Sequence, residues 1–88
     1  MQTVKTIDNY FYREIGKELR NIRQHRGMTL QEVAQKTGFS RSLIDHWELG
    51  FNKINPKKFE RLCDALQVSS NLKIEVKIGF WRDENVRF

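Results

Sequence analysis

Between Gly27 and Pro56, helix-starting and helix-stopping residues follow one another so closely that only short helices fit. The Thr29 hydroxyl can accept a backbone N–H two or three residues on, and Glu32 stands at the reciprocal capping-box position. The helix that opens there turns Leu30, Val33 and Ala34 inward and ends at Gly38, a residue free to take the positive φ of a sharp turn. Ser40 caps a second short helix, which buries Leu43, Ile44 and Trp47 and stops at Gly50. After a loop at Phe51-Asn52-Lys53-Ile54, Asn55 as N-cap and Pro56 at the first helical position open another, with Phe59, Leu62, Cys63 and Leu66 as its apolar stripe.

Upstream, Ile7, Phe11, Ile15, Leu19 and Ile22 recur at four- and three-residue spacing, which predicts an amphipathic helix from Ile7 to Arg26, ended by Gly27. Arg13, Glu14, Lys17, Glu18 and Arg20 make its solvated face. Beyond Ser69-Ser70-Asn71 the period changes to two: Leu72, Ile74, Val76, Ile78 and Phe80 alternate with Lys73, Glu75, Lys77 and Gly79, the pattern of a strand. Asp83-Glu84-Asn85 reads as a turn, after which Val86-Arg87-Phe88 returns as a short second strand. The expected organisation is a mainly α, four-helix domain over residues 7–68 and a C-terminal β-strand or hairpin over 71–88.

The chain has 88 residues, the size of one small domain, and its 39% apolar and 31% charged residues with a single Pro belong to a globular fold. No apolar run approaches the roughly 20 residues of a membrane span, and Met1-Gln2-Thr3-Val4-Lys5 lacks the apolar core of a signal peptide, so a cytoplasmic protein is expected. One cysteine, Cys63, and two distant histidines offer neither a disulfide nor metal-ligand spacing; no metal and no cofactor are expected. Cys63 shares its stripe with Phe59 and Leu62 and reads as a buried, inert thiol. Catalysis needs a nucleophile beside a base, or paired carboxylates in a cleft, and helices this short enclose no cleft; an enzyme is not expected. Sixteen Lys and Arg against eleven Asp and Glu leave a net charge of +5, which suits a polyanionic partner.

Two short helices joined by Thr37-Gly38-Phe39-Ser40, with one helix before and one after, match a helix-turn-helix, in which the turn sets the second helix nearly crosswise. Residues 27–50 closely resemble the helix-turn-helix of the phage repressor and Cro family of transcription regulators, also called the xenobiotic response element family. The marks are Val33-Ala34, Gly38, the Ile44 to Trp47-Glu48 run with Gly50, and the later Pro56 with Leu62 to Leu66; the likeness covers about residues 13–68. It implies a lambda-repressor-like four-helix domain whose recognition helix enters the DNA major groove. By the same resemblance Arg41, Ser42, Asp45 and His46 reach base edges, and the chemistry suits them. Arg41 can bond bidentately to guanine O6 and N7, Ser42 can donate or accept, and Asp45 can accept from cytosine N4.

Phosphate contacts fall by position to Thr29, Gln31 and Ser40, and to Asn52, Lys53 and Lys57 in and after the loop. The family often has Gln directly after the second helix's cap, where this chain has Leu30, and Gln31 takes that role here. Arg23 and Glu48 align with a family ion pair that ties the first helix to the recognition helix.

These features imply a sequence-specific regulator of double-stranded DNA, most simply a repressor, similar to compact regulators of phages and mobile elements. A second reading is an antitoxin-type protein whose residues 71–88 bind a toxin, or another protein partner such as an antirepressor, while the helix-turn-helix autoregulates the operon. RNA is disfavoured, because the deep, narrow major groove of its A-form admits no helix. A strand over residues 72–80 needs a partner for its N–H and C=O groups. Thr3-Val4-Lys5-Thr6-Ile7 and Val86-Arg87-Phe88 are short, whereas a twofold copy offers full length. The expectation is therefore a homodimer with Leu72, Ile74, Val76, Ile78 and Phe80 at its interface.

Overall fold

The computed structural model describes residues 3–73 and Val76. Among the described residues four helices lie wholly in view, in the order α1 (Thr3–His25), α2 (Leu30–Thr37), α3 (Arg41–Leu49) and α4 (Pro56–Leu66). The caps form where the sequence puts them. Thr29 Oγ1 accepts from Glu32 N at 3.0 Å while Glu32 Oε1 accepts from Thr29 N at 2.8 Å, closing the capping box at the start of α2. Ser40 Oγ accepts from Leu43 N at 3.1 Å and Asn55 Oδ1 from Lys58 N at 2.9 Å, so α3 and α4 each begin on a satisfied N–H. Gly38 at φ 84° ends α2 and Gly50 at φ 78° ends α3.

α1 starts at Thr3 rather than at Ile7, so the Thr3-Val4-Lys5-Thr6-Ile7 segment weighed as a strand partner is helical. The β-branched residues cost little helix propensity each, and no breaker separates them from the strongly periodic turns that follow, so the helix extends through them.

The core is formed by Tyr12, Ile15 and Leu19 of α1, Val33 of α2, Ile44 and Trp47 of α3 and Phe59, Leu62, Cys63 and Leu66 of α4. Ile54, which lies between α3 and α4 in the chain, also belongs to it at 3% exposure, although its segment reads as plain loop. Thr37, buried at the end of α2, satisfies its hydroxyl by donating to Val33 O at 2.8 Å. Arg26 reaches across from the end of α1 to donate to Leu66 O at 2.9 Å and Gln67 O at 2.7 Å. A cation thus caps the C-terminal carbonyls of α4, where the helix dipole favours positive charge. Gln67 itself takes the left-handed conformation at φ 57° to end that helix.

The expected strand meets a correction where the described residues reach it. Residues 70–73 and Val76 are helical, and no strand occurs among the described residues. Ser69 acts as an N-cap, its Oγ accepting from Leu72 N at 3.3 Å and its carbonyl from Lys73 N at 3.2 Å. Leu72 packs on the core, Val76 is buried, and Lys73 Nζ donates to Glu60 Oε2 of α4 at 3.3 Å. The physical reason is that Leu72 and Val76 stand four apart, a spacing that alternation shares with one face of a helix. Two of the five residues assigned to a strand-paired dimer therefore face this chain's own core. Ile74, Ile78 and Phe80, and the return strand Val86-Arg87-Phe88, lie outside the described residues.

Candidate nucleic-acid interface

Placement of α3 decides what this surface can do, and three contacts on its buried side set it. The first is steric. A Cβ at Gly16 in the middle of α1 would lie 2.6 Å from Glu48 O and nearer still to Trp47 O, so α1 and the last turn of α3 meet backbone to backbone. The second is aromatic: Trp47, 3% exposed, meets the edge of Phe39 in the turn at 5.2 Å between centroids and 89° between planes. Phe39 in turn lies 5.4 Å from the Arg61 guanidinium of α4, which ties the turn to the following helix.

The third is ionic. Arg23 Nε donates to Glu48 Oε2 at 2.7 Å and its Nη2 to Glu48 Oε1 at 3.0 Å, a bidentate fork with side-chain exposures of 11% and 4%. Arg23 Nη1 also donates to Met28 O at 2.9 Å, so one guanidinium joins α1, the lead-in to α2 and the underside of α3. The Arg23 pKa is raised from its ordinary value, chiefly by the hydrogen bond it donates to Glu48 and against the opposing effect of burial, with the charges of Glu48 and Asp45 adding smaller attractions. A raised folded-state pKa on a base contributes stability that is present below the unfolded pKa and is lost only as pH climbs through the folded one. For an arginine that window lies beyond the alkaline end of ordinary buffers, so Arg23 holds its charge wherever DNA binding is measured.

With Ile44, Trp47 and Glu48 buried, the opposite side of α3 is left for a partner. Arg41, Ser42 and His46 are exposed on it and Asp45 is half-buried. Asp45 also lies close enough to Arg23 to act on its charge, making it the most constrained of the four. Thr29, Gln31, Ser40, Asn52, Lys53 and Lys57 are all exposed. The hydroxyls of Thr29 and Ser40 accept from the backbone in their caps and keep their own protons to donate. Lys53 Nζ lies 5.4 Å over the buried Tyr12 ring, which holds the loop's ammonium beside α1.

A family model described as a helix-turn-helix domain matches residues 14–73. The chain belongs to the helix-turn-helix domain family. No curated protein and no solved structure matches it significantly. The family match spans α2, the turn and α3 together with most of α1 and all of α4, so the ion pair, the Gly16 contact and the exposed face all lie inside the helix-turn-helix domain. Among the described residues no helix is long and apolar enough to cross a membrane.

Sequence reasoning missed several features that shape this surface. Gly16 was legible in principle, since an isolated glycine inside a helical stripe marks close packing. Arg26, Arg61 and Ile54 carried no local signal, because each acts on residues distant in sequence. Phe51, 71% exposed just after α3, was read only as loop.

Proposed function

We propose that this helix-turn-helix domain is a sequence-specific regulator of the phage repressor and Cro type, acting as a dimeric repressor on a palindromic operator in double-stranded DNA. One observation carries the reading: α3 is braced from below by Gly16, Trp47 and the Arg23–Glu48 fork, while its outer side offers Arg41, Ser42 and His46 to a partner. A helix so held can meet the major groove without ordering cost at the moment of binding. Asp45 adds an acceptor for cytosine N4, and the exposed Thr29, Gln31, Ser40, Asn52, Lys53 and Lys57 supply donors for phosphates. Four side chains on one short helix read only a few base pairs, which favours two copies on a twofold site. Its half-sites then lie about one helical turn, roughly 34 Å, apart.

Arg41→Ala is expected to cost about 1 to 3 kcal/mol of DNA affinity and to relax preference at one base position. Lys53→Ala is expected to weaken all sequences alike and to flatten the salt dependence. Titrations of both variants against duplexes selected from a random pool, repeated across salt concentrations, check this. An Arg41→Ala protein with unchanged affinity and unchanged base preference removes α3 from the recognition role. Sedimentation checks the dimer. The protein at tens of micromolar is expected to run as two copies, and a monomer both free and on the selected duplex rules out the palindrome.

A further inference from the structure

Among the described residues three large apolar side chains are strongly exposed, Tyr10 at 59%, Leu49 at 40% and Phe51 at 71%. Single exposed apolar residues are ordinary on a protein surface and carry no meaning alone. Phe51 differs in how it is held and in what surrounds it. Its backbone N–H donates to His46 O at 2.9 Å, closing the turn that ends α3. Gly50 before it takes φ 78° and packs so tightly on α1 that a Cβ there would come within 3.0 Å of Arg13 Cα. The Phe51 ring is thus carried on a seated backbone. Its centroid lies 5.8 Å from the His46 ring, with 54° between the planes, which sets it beside the last polar residue of the exposed α3 face. Leu49, three residues beyond His46 on the same helix, is exposed as well. After Phe51 in the chain Asn52 and Lys53 are exposed, and Lys57 and Lys58 follow at the start of α4.

An exposed apolar ring beside the polar face of α3, at the head of a loop that carries an exposed lysine, fits a polyanion with an apolar group set among its polar edges. In the major groove of B-DNA only thymine offers such a group, its C5-methyl; the other bases show donors and acceptors alone. We infer that Phe51 is a specificity-determining residue that packs on a thymine methyl next to the bases read by α3. The inference rests on the DNA-binding reading above and names one further base that the site selects.

The test uses duplexes that the protein itself selects from a random pool, resynthesised with deoxyuridine in place of thymidine one position at a time. Wild type is expected to lose about fourfold in affinity at one position, the value of removing one buried methyl. At that position Phe51→Ala is expected to bind the thymine and uracil duplexes equally, and Phe51→Leu to keep part of the preference. Wild type indifferent to uracil at every position overturns the inference without any variant, while successful selection leaves the DNA-binding reading standing. Failure to select any duplex overturns both. A Phe51→Ala protein that still discriminates uracil overturns the inference, as does one whose only change is a lower sedimenting mass, which would make Phe51 a contact between copies.

Discussion

Glu48→Gln is expected to destabilise the domain by about 3 kcal/mol or more, the range for removing one member of a buried ion pair. For a domain of this size each kcal/mol moves the melting temperature by about 4 to 8 °C, so a fall of at least about 12 °C should appear in a thermal melt. The size follows from burial. An exposed pair contributes roughly 0 to 1 kcal/mol, whereas the Glu48 side chain keeps only 4% of its exposure and accepts two bonds from one guanidinium. Glutamine preserves the shape but leaves Arg23 charged with a neutral partner in a place largely shielded from water. Because Arg23 also holds Met28 O, the loss loosens the lead-in to α2 as well as the underside of α3. Replacing both residues together with apolar ones is expected to cost less than Glu48→Gln alone, since no unpaired charge remains. A Glu48→Gln melting temperature within a few degrees of wild type would show that the fork adds little in solution.

Gly16→Ala carries the second large effect, and its sign runs against helix propensity. In an exposed helix interior, alanine for glycine stabilises by roughly 0.5 to 1 kcal/mol. Here the new methyl meets the carbonyls of Trp47 and Glu48, and backbone cannot rotate aside as a side chain can. Overpacking of this kind costs about 1 to 3 kcal/mol and sometimes more, so the steric term wins. The expected result is a melting temperature lower by about 5 to 15 °C, together with weaker DNA binding, because α3 must tilt or withdraw to make room. Gln24→Ala on the exposed side of α1 serves as the comparison and should stay within about 0.5 kcal/mol of wild type. A Gly16→Ala protein as stable as that control would mean the two helices have slack where they cross.

The residues that start and stop the helices were legible because capping is a local event. Thr29 with Glu32, Ser40 with Leu43 and Asn55 with Lys58 each join positions three apart, and the hydrogen bond needs nothing from the rest of the chain. The stripes of α3 and α4 were legible for a similar reason. Once a helix forms, its period alone decides which side chains share a face. From these came the turn, the exposed face of α3 and the pairing of Arg23 with Glu48 through resemblance to a known family.

The segment after Ser69 shows where that reasoning stops. Leu72 and Val76 satisfy both a period of two and a helical face, and Ser69-Ser70-Asn71 serves equally as a strand boundary or a helix cap. Local pattern gives the two conformations similar standing, and the difference lies in what each one buries. As a helix the segment lays Leu72 and Val76 on the core and brings Lys73 to Glu60; as a lone strand it would leave a row of backbone groups unpaired. Ile54, Arg26 and Gly16 belong to the same class. Each owes its role to a partner more than ten residues away, at α1, α3 or α4, and the distances between those helices are not written in any one stretch of chain. Local hydrogen bonding and periodicity determined which helices this sequence makes. Their crossings, which decide that α3 lies on a glycine and an ion pair with its polar side outward, arise only when the four stripes compete for one small core.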